Sequence, residues 1–206
     1  MRSKVEQGLK YYSEILRAYS KTTFTAVMES KQICTAYIAL LNRRDQEGSI
    51  PTGFHWVLCY LPRSDDDTTQ GFYVYHVLDE SEAWEQSKHV NPVHIEQNDR
   101  FHIVIKLGYV LADINTVTDF TASQPATQDD TPLLSTHRKW SCALWIIRVL
   151  ADFQEAGLFS AIPLQTEDDK MKFYRRIYSA GALASGYPNS DFPVVYHGEV
   201  KMTQYK

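Results

Sequence analysis

The sequence predicts an α+β fold, an antiparallel β-sheet packed on one central helix. Three observations carry this. Aromatic and β-branched runs crowd the first half of the chain, one long apolar helix pattern follows them, and strand and helix signals do not alternate as βα units would. At 206 residues the chain fits one domain, residues 1–206, with a core over about 20–160, a helix at the N-terminus and a C-terminal extension over 163–206.

Taken in order, residues 4–18 place Val5, Leu9, Tyr12, Ile15 and Leu16 at near-helical spacing, which predicts a short amphipathic helix. "TTFTAVME" and "ICTAYIALL" read as strands because they are rich in β-branched and aromatic residues. The polar stretch 42–53 holds Gly and Pro and reads as a turn region. "GFHWVLCYLP" and "GFYVYHVLDE" follow as two strands, joined by a solvated loop whose acidic run, Asp65 to Asp67, has no calcium-loop spacing. "RFHIVIKLGYV" alternates as a half-buried strand. Residues 112–135, rich in Thr, Asp, Ser and Pro, read as one long loop. "CALWIIRVLADFQEAG" is the clearest helix, with Ser141 as N-cap and Gly157 just past its end. A second, amphipathic helix follows over "TEDDKMKFYRRIYSAG", then a turn-rich stretch and a final strand, "VVYHGEVKM".

Composition narrows the function classes. Net charge is −4, and the basic residues are scattered along the sequence without a stripe, so no nucleic-acid partner is expected. No apolar run reaches the length of a membrane span, and the N-terminus lacks the apolar stretch of a secretory signal. Three cysteines, Cys34, Cys59 and Cys142, fit free thiols in the cytoplasm better than a disulfide framework. The aromatic share, 13 %, suits a large mixed core or an aromatic pocket.

The histidines His55 and His76 sit in the two aromatic strands. If these pair with Tyr60 opposite Gly71, His55 faces His76 and both rings leave the same side of the sheet. One imidazole can then act as base while the other fixes its tautomer. A one-residue shift would place the rings on opposite faces. Zinc held by His55, His76 and His102 is an alternative, although no short-spacing ligand motif is present. Cys142, as the first residue of its helix, stands where the dipole and unpaired N–H groups favour a thiolate, with Arg138 and Lys139 adding positive potential. The other reading of Cys142 is a small buried hydrophobe. Cys59 lies about 13 Å along the strand from His55, and Cys34 reads as core.

"HWVLCYLP…GFYVYHVLDE" followed by "CALWIIRVL" resembles the permuted NlpC/P60-like proteins, in the branch of the lecithin:retinol acyltransferase-like enzymes. The resemblance covers roughly residues 54–157 and departs at the nucleophile, where this chain has Ser-Cys-Ala-Leu in place of Asn-Cys-Glu-His. It implies a circularly permuted papain-like fold and thiol acyl transfer, with Cys142 as nucleophile, His55 as base and His76 as orienting residue. No cofactor is expected. The expected substrate is a small-molecule, peptide-like or lipid-like acyl compound. Trp140 and Trp145 flank the cysteine as core or pocket wall, and Phe72, Val74 and Tyr109 are further candidate lining residues. Two other functions fit the same residues: a non-catalytic binding module, and histidine acid–base chemistry with Cys142 as bystander.

Overall fold

The computed structural model describes residues 33–43, 53–62, 71–80, 83–88, 91–185, 194–196 and 199–203. The expected helix over 4–18 and the strand over 22–29 lie outside these residues. The described residues form an α+β arrangement. Strands β1 (Cys34–Arg43), β2 (Gly53–Pro62), β3 (Tyr73–Glu80), β4 (Ala83–Lys88) and β5 (Phe101–Val110) precede three helices, α1 (Ile114–Ser123), α2 (Cys142–Glu155) and α3 (Glu167–Ala184). β6 (Val194–Tyr196) and β7 (Glu199–Thr203) close the order. One seven-stranded sheet runs β4-β3-β2-β1-β5-β6-β7. Its neighbours are antiparallel except β5 and β6, which are parallel.

Period-two alternation divides the central strands between two cores. Ile38, Leu40, Trp56, Leu58, Tyr60 and Tyr75 face the helices and pack with α2. Ala39, Leu41, Val57, Cys59, Val74 and Val104 face the other way, against Ile95 and Phe72. Burial on both sides is why "ICTAYIALL" carries apolar residues almost without interruption. Among the described residues β4, "AWEQSK", pairs only with β3 at the sheet's edge; it is polar, and the apolar signals of the sequence do not mark it.

The central helix forms as its sequence dictates. Ser141 accepts the Leu144 N–H at its start. At its end Gly157 adopts φ 74°, with Gly157 N–H donating to Gln154 O and Leu158 N–H to Phe153 O. That double closure is a Schellman motif, and the positive φ selects glycine. α2 buries nine residues, each large aliphatic or aromatic one contributing about 1.5–3 kcal/mol. α3 begins with a capping box between Thr166 and Asp169.

Two expectations change. The long loop over 112–135 contains α1. Asp113 caps it by accepting from Thr116 N–H, and Val117, Phe120 and Thr121, at helical spacing, supply its buried face. Thr121 gives its hydroxyl hydrogen to Val117 O, so the 2.8 Å contact with Tyr60 is donated by the Tyr60 hydroxyl. The Thr-rich sequence hid this helix, since tertiary burial outweighs poor propensity. The expected final strand is two strands, β6 and β7, paired with each other.

The segment between α1 and α2 is fastened by donors on and beside α2. Trp140 Nε1 donates to Ala126 O, Trp145 Nε1 to Pro125 O, and Arg148 to Pro125 O, Thr127 O and Thr131 Oγ1. This tether places the residues leading into Cys142. Among the described residues no helix is long and apolar enough to cross a membrane.

Candidate active site

Strands β2 and β3 pair only over Leu58–Tyr60 and Tyr73–Tyr75 in register, with Tyr60 opposite Tyr73. The register therefore differs by two residues from the one that sets Tyr60 against Gly71. An even slip preserves which face each side chain takes. His55 pairs across β1 with Leu41, on the face away from the helices, and His76 alternates with Tyr75 and Val77, which face the helices. Both imidazoles thus share one face, as diagonal and not direct neighbours. His55 Nε2 and His76 Nδ1 are 2.9 Å apart, with the ring planes at 76°.

Beyond Leu58 the strands part, and, among the described residues, 53–57 pair only with β1. The sulfur of Cys142 enters at this opening. Trp56 N–H, the backbone group immediately after His55, donates to Cys142 Sγ at 3.4 Å. The sulfur so takes an N–H that a continued β2–β3 ladder would have used. Cys142 approaches from the helix side, whereas the imidazoles lie on the other face. The expected packing of a cysteine helix directly onto a histidine-bearing face is replaced by a meeting at the gap between two strands. The Trp56 ring, on the helix side, stacks on Tyr174 with centroids 5.4 Å apart.

A cleft of about 910 Å³ opens at this end of the sheet and takes in both Cys142 and His55. Its walls come from the ends of β1 and β3, from Trp84 of β4, from residues 136–141 and from Tyr174 of α3. Cys142 itself is only 5 % exposed. Burial pushes its thiol above the ordinary value, against the opposing pull of the Trp56 N–H, the Arg43 charge and the N–H groups of Ala143 and Cys142. The expected thiolate at the helix start is therefore a neutral thiol at rest: desolvation outweighs the helix terminus. Leu144 N–H is taken by Ser141, and the N–H groups of Cys142 and Ala143 are the ones turned to the sulfur.

Burial, the neighbouring His76 and the charges of Arg43 and Arg100 hold His55 down to about 3 from its ordinary 6.5. His55 is neutral at neutral pH. Between pH 6.5 and 3 the unfolded chain binds a proton that folded His55 refuses. Its contribution to stability is intact above pH 6.5 and falls as pH drops through that window, by up to about 1.4 kcal/mol per pH unit. Asp152, raised by burial to about 6, acts in the opposite sense, its contribution falling as pH rises from 3.8 to about 6. Denaturation midpoints from pH 7 to pH 4 are expected to fall less steeply in His55→Gln than in the natural chain. Equal slopes would contradict a buried neutral His55.

The remaining expected site residues are placed as follows. Trp140 lines the cleft, its indole N–H tied to Ala126 O. Trp145 is fully buried, and its indole N–H holds Pro125 O, so it anchors the tethered segment outside the cleft. Phe72 and Val74 do lie on the His76 face, but Phe72 packs edge-on to Tyr37 and Val74 is buried beside it, away from the cleft. Tyr109 pairs across from Thr35, at the end of the sheet opposite His55, and is exposed under Lys106. His102 bonds Gly181 O on the helix side, so the three-histidine set does not assemble. Among the described residues no group of three or more His, Cys, Asp or Glu is placed to hold a metal ion. Cys34 and Cys59 are buried in the two cores, and desolvation pushes both thiols up to about 12.

Residues not singled out from the sequence complete the cleft: Arg43, Asp79, Trp84, Arg100, His137 and Tyr174. His137 is set edge-on to Tyr174 at 4.4 Å. Its position five residues before Cys142 was the one local signal available; the others come from distant strands and α3. No protein-family model, curated protein or solved structure matches the chain.

Proposed function

We propose that the chain is a thiol-dependent acyl-transfer enzyme on a papain-like, circularly permuted core, acting on an amide, ester or thioester. The observation that carries this reading is the opening of Cys142 and of the hydrogen-bonded His55 onto one cleft. For His55 to act as base, it donates its Nε2–H to His76 Nδ1, leaving Nδ1 with the lone pair. In this reading the thiol proton passes through the gap between β2 and β3 to His55 Nδ1, directly or through one water, as the Cys142 sulfur attacks the carbonyl carbon. The N–H groups of Cys142 and Ala143 receive the oxyanion, each such donor being worth about 2.7–4 kcal/mol. The oxyanion then collapses to an acyl thioester on Cys142, the bond from the carbonyl carbon to the leaving nitrogen, oxygen or sulfur breaks, and the imidazolium gives its proton to that departing amine, alcohol or thiol. Water or an amine then cleaves the thioester, and the proton passes back through His55.

Because both partners rest neutral, proton transfer accompanies attack and no preformed ion pair precedes it. The test is the release of p-nitrophenolate from p-nitrophenyl acetate. A burst of one equivalent per chain is expected, lost in Cys142→Ala and kept in Cys34→Ala and Cys59→Ala. A burst that survives Cys142→Ala contradicts the reading. The deep burial of the thiol favours a second reading, a non-catalytic binding module using the same cleft. Absence of any burst in a chain that still binds a ligand there would select it.

A further inference from the structure

The chain carries a net charge of −4, yet the described lining of its cleft is cationic. Among the described residues, Arg43, Arg100, Arg138 and Lys139 line it, with Asp79 as the one carboxylate. They come from the end of β1, the turn before β5 and the approach to α2, so the sequence shows them only as scattered. All four are exposed. None forms an ion pair with a carboxylate among the described residues, where the ion pairs are His94 with Glu96 and Lys172 with Asp168. Four cations gathered around one cleft repel one another. Two or more guanidinium forks facing one cavity match the oxygens of phosphate. Arg43 is near enough for its charge to act on both Cys142 and His55, and Arg100 on His55, so an anion held by this pair lies beside the reacting groups.

Building on the acyl-transfer reading, we propose that the cleft is a phosphate subsite, and that the acyl substrate is a water-soluble phosphate ester whose anionic group is held by Arg43 and Arg100, with Arg138 and Lys139 at the rim. The same chemistry could be presented by a lipid headgroup, so the test separates the two sources.

Titration calorimetry with inorganic pyrophosphate on the full chain is expected to show one saturable site that weakens as salt is raised. The double variant Arg43→Glu/Arg100→Glu should weaken it by about tenfold or more, as loss of charge-assisted contacts requires. Arg176→Glu, on α3 and outside the cleft, should leave it unchanged. Circular dichroism establishes that the variants are folded, and Lys139→Glu alone gives a milder second test in the same direction. Absent saturable binding, or equal weakening by Arg176→Glu, overturns the subsite. Binding to phosphatidylglycerol vesicles without binding of pyrophosphate overturns the soluble source. Retention of pyrophosphate binding in Cys142→Ala, whatever the outcome of the ester burst, separates this proposal from the acyl-transfer reading.

Discussion

Replacing His55 with alanine is expected to slow acylation of Cys142 by p-nitrophenyl acetate by about 100-fold or more, the scale on which a positioned general base contributes. Burial keeps the Cys142 thiol protonated at rest, so attack needs an acceptor for its proton. Among the described residues two imidazoles line the cleft, His55 and His137. His55 has its ring fixed by His76 at 2.9 Å and directly precedes, in the backbone, the N–H that touches the sulfur. His137 instead sets its ring against Tyr174. His137→Ala should therefore change the burst rate only a few-fold, while His76→Ala should fall between the two because the base survives but its tautomer is no longer fixed. A chain in which His137→Ala is the damaging change would reverse the assignment of the base.

The largest stability effect is expected at Phe153. Its side chain is fully buried, stacks on Phe120 with centroids 4.3 Å apart, and meets Tyr60 edge-on at 6.2 Å. One ring thus joins α2, α1 and β2. Phe153→Ala removes its transfer energy and leaves a cavity between three elements that cannot close together, a loss of about 3–5 kcal/mol. Urea unfolding should show a lower midpoint with little change in slope. A loss below about 1 kcal/mol would mean that α1 does not pack on α2 as described. The consequence reaches the site, because α2 carries both Cys142 and the donors that fasten the segment leading to it.

Much of this arrangement was legible in local chemistry. Ser141 and Gly157 bracket α2 because a cap and a positive-φ terminus leave residue-specific marks. The shared face of His55 and His76 was legible through parity alone, which survives an even slip of register. What could not be read depends on contacts across the chain. α1 exists because Val117, Phe120 and Thr121 find a core, not because its residues favour a helix. The splaying of β2 from β3, which brings the sulfur to the backbone beside His55 from the opposite side of the sheet, has no sequence mark. Nor does the convergence of Arg43 with Arg100, which lie on separate segments. The neutral state of Cys142 likewise follows from burial, which no helix-terminus pattern reveals.

Peptide mapping by mass spectrometry after brief exposure to p-nitrophenyl acetate locates the acyl group on the chain. One acetyl group is expected, carried by the peptide containing Cys142 and removed by hydroxylamine. An acetyl group on another residue, or a Cys142 peptide that stays unmodified while the ester is turned over, would contradict Cys142 as the nucleophile.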